Sequence, residues 1–347
     1  SIILIIKKVS PVYSLILGAL IGGLLAGWGL ENTVTEMISG IKDITPAIIR
    51  ILAAGVLTGM LVKTGAASSI SHAIIKKLGA KQIYLALALS AMLLTAIGVF
   101  IDVAVITIAP IALIAGSQLK LSRTKLLVAM IGGGKCGNII SPNPNSIIAA
   151  ENFGAPLPSV MAANILPAII GLLFTIYIIV PLLPKGNILQ PTEQVEENKL
   201  LPSLWSSVIA PIVTILLLTL RPLFGIIIDP LVALSAGGIV GIIATHNWNK
   251  TNECLSYGLG KMSTIAILLI GTGALAGVIK ASTIKDILIE LLAGWSNGGT
   301  IMAPLSGALM CAATASTTAG ATIASASFAQ SILGAGVAAI WLSLIHI

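Results

Sequence analysis

Ile131-Gly-Gly-Gly-Lys135-Cys-Gly-Asn138-Ile-Ile-Ser141-Pro142-Asn143-Pro144-Asn145-Ser146-Ile-Ile-Ala-Ala150-Glu151-Asn152 lies inside an apolar run long enough to cross a bilayer. It holds what an apolar helix should exclude. Pro142 and Pro144 remove backbone donors and push their predecessors out of the helical region, so the sequence predicts a break. A break at that depth is tolerated only where the freed backbone groups are buried in protein or line a wet cavity. Broken helices lined with amides and a lysine suit a site for a small anion carried across a membrane.

Composition points the same way. Hydrophobic residues make up 56% of the chain and charged residues 9%, far below the roughly 25% charged of soluble domains. Mean hydropathy is +1.06. Spans are expected near 11–30, 46–62, 83–100, 103–117, 126–150 (broken), 159–183, 205–228, 230–245, 263–279 and 301–341, the last too long for one crossing and so read as a hairpin. The fold expected is an all-α polytopic membrane protein of the inner membrane. The net charge of +7 sits in short loops between spans, as the positive-inside rule requires, and does not point to nucleic acid. Cys136, Cys254 and Cys311 show no paired spacing, and His72, His246 and His346 do not cluster. Neither a disulfide framework nor a metal site is expected. No Gly-x-Ser-x-Gly, paired aspartate or His-Glu-x-x-His pattern occurs, so an enzyme is not expected.

The polar stretch 185–202, with Glu193, Glu196, Glu197 and Lys199 around Pro191, reads as a cytoplasmic linker between transmembrane repeats 1–184 and 203–347. Gly55-Val-Leu57-Thr-Gly59, succeeded by Lys63 and an Ile/Leu-rich helix, matches Gly273-Ala-Leu275-Ala-Gly277, succeeded by Lys280 and another such helix. The first connection carries Lys63, Lys76, Lys77 and Lys81 without an acid. The second balances Lys280 and Lys285 against Asp286 and Glu290. Lysine excess marks the cytoplasmic side, so the two connections are expected on opposite faces, as in an inverted-topology repeat with re-entrant hairpins. Ile2 to Ile6 before Lys7 and Lys8 reads as the tail of a span, the second half lacks a counterpart of the Pro-rich break, and Ser343 to Ile347 reads as an adaptor scar. The chain is therefore expected to be truncated at both ends.

Asp102, within Gly98-Val-Phe-Ile-Asp102-Val-Ala-Val, is the acid expected within the membrane. Ionisable groups there are costly and usually functional, and Asp102 is the candidate proton-coupling residue. A water-facing hairpin tip is the bland alternative. Lys135, flanked by Gly133, Gly134 and Gly137, has room for close backbone approach and could hold a substrate carboxylate; structural pairing with Asp102 competes. Asn138, Ser141, Asn143, Asn145 and Ser146 offer amides and hydroxyls, and a half-helix starting near Ser146 would aim its positive end at an anion. In the second half Ser316, Thr317 and Thr318 are candidates for substrate contact, with a packing seam as the ordinary reading. Glu151 is expected at an exit to solvent, and Arg50 and Arg221 are expected to snorkel from span ends.

These residues resemble the gluconate permease (GntP) family within the ion transporter superfamily, over essentially the whole chain. Phe100-Ile-Asp102-Val, Gly132-Gly-Gly-Lys135 before the break, Ala149-Ala150 after it, and Ala313-Thr-Ala-Ser316-Thr-Thr-Ala carry the likeness. The resemblance implies a proton symporter for gluconate or a related sugar acid, with no cofactor beyond the coupling ion. Gluconate carriers typically show a Pro-Pro-x-Pro-Gly-Pro type of break, whereas Ser141-Pro-Asn-Pro-Asn145-Ser is similar to Ser/Asn-rich breaks of sodium-coupled dicarboxylate and citrate carriers. A sodium-coupled di- or tricarboxylate symporter, and then a sodium/proton antiporter, are the alternatives. The expected partners are a small organic acid anion and membrane lipid. The apolar outer faces leave a homo-oligomer open.

Overall fold

The computed structural model describes residues 3–4, 7–184, 186, 201–283, 287, 298–314 and 317–333. Most of the linker expected at 185–202, and Ser316, lie outside them. The helices are α1 (Pro11–Leu25), α2 (Leu30–Lys63), α3 (Ala66–Leu78), α4 (Ile83–Ala96), α5 (Ile101–Gln118), α6 (Arg123–Ile139), α7 (Pro144–Asn152), α8 (Leu157–Ala163) and α9 (Ile165–Phe174), which runs on through a π turn to Leu182. They are followed by α10 (Leu204–Phe224), α11 (Pro230–Ala244), α12 (Thr251–Ala281), α13 (Gly298–Thr314) and α14 (Thr317–Leu333).

Among the described residues, Leu30–Lys63, Ile101–Gln118, Leu157–Leu182 and Trp248–Ala281 are long and apolar enough to cross a membrane. Ala66–Leu78 and Ala80–Ala96 pass that test together but are bent by 106°, and Gly79 turns the chain there at φ +71°. Large apolar side chains stay uncovered along one face of the 157–182 helix, with Leu166 65%, Ile170 58% and Tyr177 63% exposed. A stripe of that kind is solvated by lipid tails rather than by water. Local chemistry sets the ends: Pro11 and Pro230 stand at first helical positions, where proline's missing N–H costs nothing. Asp229 Oδ1 accepts from the Leu231 N–H at 2.8 Å.

The chain divides into two compact units. One comprises 1–52, 144–163 and 261–347; its clusters are Ala19 with Ala274 and Val278, and Phe153 with Met302, Ala303, Phe328, Ala329 and Ile332. The other comprises 53–143 and 164–260, with a cluster built from Ala88, Met92, Ala129, Cys136, Ala168, Leu172, Ile176 and Val180.

Helix boundaries recur at a constant spacing. Leu30–Lys63 and Trp248–Ala281 are both 34 residues long and start 218 positions apart, as do Ala80–Ala96 and Gly298–Thr314. Helices α1 and α11, both 15 residues long, follow the same spacing to within one position. The close contacts repeat too. In the second unit a Cβ on Gly258 would stand 1.9 Å from the Gly55 carbonyl oxygen, and one on Gly59 2.0 Å from that of Cys254. In the first unit a Cβ on Gly40 would stand 2.1 Å from the Gly273 oxygen, and one on Gly277 2.1 Å from that of Glu36. Adding 218 to the numbers of Glu36, Gly40, Gly55 and Gly59 gives those of Cys254, Gly258, Gly273 and Gly277. The Gly-x-Leu-x-Gly pairs singled out in the sequence are therefore equivalent packing points, where small residues let backbones touch.

Candidate functional site

In the second unit α6 lies directly on α4. A Cβ on Gly133 would stand 2.1 Å from the Ala88 carbonyl oxygen, and one on Gly137 2.0 Å from that of Met92. Thr95 Oγ1 donates across the seam to the Gly134 carbonyl at 2.8 Å. The room offered by these glycines is thus filled by α4 rather than held open for a ligand. Lys135, on the same helix, is exposed.

Two breaks meet at the end of this seam. Helix α4 ends at Ala96 and α5 starts at Ile101, with Gly98 between them at φ +99°. Only glycine takes that conformation without strain. The Gly98 carbonyl accepts from Thr58 Oγ1 at 3.0 Å, and a Cβ on Gly98 would lie 4.0 Å from Pro142 Cγ. The second break, at 140–143, caps itself. The Asn138 carbonyl accepts from the Ser141 hydroxyl at 3.0 Å and from the Asn143 amide. That amide also lies 2.9 Å from Ser141 Oγ. Such contacts satisfy orphan carbonyls at a helix end. Ser141 and Asn143 therefore hold the break in shape, and both are buried.

Asp102 is in the first turn of α5, beside the Gly98 break, and is exposed. The sequence expectation of a residue deep in an apolar run gives way to a helix N-terminus, which favours a carboxylate electrostatically. Ile101 packs against Gly134, its Cγ1 2.8 Å from where a Cβ would stand. The sequence neighbours of Asp102 and Lys135 thus touch.

In the first unit, Asn145 and Ser146 open α7 and are buried at 7% and 0% exposure. Thr317 is exposed and Thr318 half-buried at the start of α14. Thr318 is the second residue of α14, as Asp102 is of α5. Sequence reasoning missed Arg50. Helix α2 starts at Leu30, well before the span expected at 46, so Arg50 is mid-helix and forms an ion pair with Glu151 of α7. Glu151 is exposed, as expected of a residue at an exit to solvent, while Arg50 is partly exposed and stands within its helix rather than at the helix end. The signal available was helical patterning through Glu31, Glu36, Lys42 and Asp43, which make 30–45 amphipathic rather than a loop.

Membrane-length helices, two abutting breaks and polar groups at the broken ends define a multi-pass membrane transporter. The model of the GntP family permeases matches residues 1–235, and that of the Na+-H+ antiporter family matches residues 206–295. An uncharacterized transporter of Haemophilus influenzae is 50% identical over 98% of this chain and 81% of its own length. The gluconate permease of Pseudomonas aeruginosa is 24% identical over 90% of this chain and 75% of its own. The crystal structure of the Alcanivorax borkumensis YdaH transporter superposes with a TM-score of 0.60, covering 92% of this chain and 76% of that one at 14% identity. That likeness concerns the fold alone. The chain belongs to the GntP permease family, and it is a bacterial inner-membrane protein.

Proposed function

We propose that the chain carries gluconate or a related small sugar-acid anion inward together with a proton, by alternating access. The observation that carries this reading is the meeting of the Gly98 and Pro142 breaks beside Asp102, the acid of the first turn of α5. An ionisable group at a broken membrane helix is a coupling candidate. Asp102 takes and releases the proton. In the second unit Lys135 supplies positive charge for the anion and Asn138 an amide; in the first unit Asn145, Ser146, Thr317 and Thr318 offer amides and hydroxyls at helix ends. Ser141 and Asn143 shape the break and present their remaining oxygens. The 218-residue recurrence of helices and contacts supports a repeat, and the opposed lysine balance supports its inversion. Inversion would let one packing mode serve an outward- and an inward-facing state. The name of the Pseudomonas relative supports gluconate as the first substrate to test.

A second reading, sodium/proton exchange without an organic substrate, is favoured by the antiporter model over 206–295. Uptake of labelled gluconate by cells making the protein separates the two. Proton symport predicts uptake that a protonophore abolishes and sodium removal spares, with excess unlabelled sugar acid competing. An antiporter predicts no uptake of any carboxylate. Gluconate uptake that requires sodium would make sodium the coupling ion, and sodium-dependent uptake of di- or tricarboxylates in place of gluconate would support a carrier of those acids.

A further inference from the structure

Among the described residues three ion pairs lie along α2, and one differs from the other two. Asp43 is 2.9 Å from Lys280 and Lys63 is 2.9 Å from Glu253, and in each pair a side chain is more than half exposed, 54% for Lys280 and 55% for Glu253. Arg50 is only 22% exposed and sits in the apolar stretch Ile44–Val62, paired with Glu151. An ionisable group in such surroundings suggests function before structure. Its partner lies on the short helix that follows the Pro-rich break.

We propose that Arg50 is a carboxylate subsite of the transporter and that Glu151 fills it while no substrate carboxylate is present. The inference rests on the organic-anion reading above. A guanidinium fork matches any carboxylate bidentately, so a substrate acid and a glutamate side chain are interchangeable ligands for it. A partly exposed pair is held only weakly, so exchange of one carboxylate for another is a low-cost step. The surroundings permit that exchange without refolding. Ile147 to Ala150 are buried, Asn152 Nδ2 donates to Ser325 Oγ at 2.7 Å, and Phe153 is packed against Met302 and Phe328. The backbone on both sides of Glu151 is pinned, so the carboxylate leaves by rotating its own side chain. At 36% exposure it has somewhere to go. Among the described residues, α8 and α14, which pack on α7, carry no charged residue.

The test is binding of labelled gluconate to the purified chain in lipid nanodiscs, with short mono- and dicarboxylates as further ligands. Glu151→Gln should bind about tenfold more tightly than the parent, because the resident competitor is gone. Arg50→Lys keeps the charge but loses the fork, and should bind about tenfold more weakly at an unchanged melting temperature. Equal or weaker binding by a folded Glu151→Gln, or parental binding by Arg50→Lys, overturns the proposal. Should Glu151→Gln fail to accumulate, Glu151→Asp replaces it, with tighter binding expected and unchanged binding overturning. A parent that binds another carboxylate but not gluconate sinks gluconate alone, and the variants are then read with that acid. A parent that binds no carboxylate sinks both readings.

Discussion

Asp102→Asn is expected to abolish proton-driven accumulation while leaving exchange of labelled for unlabelled gluconate across the membrane intact. The argument starts from position. Asp102 lies in the first turn of α5, where backbone N–H groups and the helix dipole favour a negative charge. Asparagine preserves shape and keeps one acceptor oxygen, so packing around Gly98 and Pro142 should survive. It cannot take up a proton. Carriage of one proton with each anion lets a gradient of one pH unit, about 1.4 kcal/mol, drive about tenfold accumulation. Without the titrating group the ratio should fall to one. Exchange moves substrate both ways without net proton movement and should continue. Accumulation by Asp102→Asn equal to the parent's would remove Asp102 from the mechanism.

Gly137→Val should prevent the protein from accumulating in the membrane at all. Its Cβ would lie 2.0 Å from the Met92 carbonyl oxygen and 2.2 Å from Thr95 Oγ1. The first of these is backbone in the middle of α4 and cannot rotate away. The seam would have to open, losing the Thr95 bond to Gly134 and part of the core around Ala88, Ala129 and Cys136. Overpacking an ordinary core costs about 1–3 kcal/mol; a clash with backbone exceeds that and approaches the whole stability of a domain, about 5–15 kcal/mol. Gly260→Ala is the matched control, since a Cβ there meets nothing within 4 Å. Membrane yield and detergent melting temperature compare the two. A normal yield for Gly137→Val would contradict the described packing of α4 and α6.

Much of the fold is legible in the sequence because membrane spans announce themselves by composition and breaks by proline. The interruption between α6 and α7, the hairpin of α13 and α14, and the boundary before Asp102 all follow from residues within one or two turns. What lay hidden depends on partners far along the chain. Gly133 and Gly137 could have made room for a ligand or for a helix, and only α4, some forty residues earlier, decides between them. Arg50 looked like an interfacial residue because Lys42 and Asp43 interrupted the apolar run. Once Lys280 is seen to hold Asp43, the helix continues through that interruption, and the partner of Arg50 turns out to be Glu151, a hundred residues away. Ser141 and Asn143 were recognisable as functional polar groups, but their use as a cap for the Asn138 carbonyl follows from the geometry of the break rather than from residue type.

The most direct test of the account is gluconate uptake by the purified protein in liposomes under an imposed inward proton gradient, in buffers free of sodium. Concentrative uptake that collapses on adding a protonophore is the predicted result. Uptake that appears only with an inward sodium gradient, or no gluconate movement under either gradient, would contradict proton-coupled sugar-acid transport.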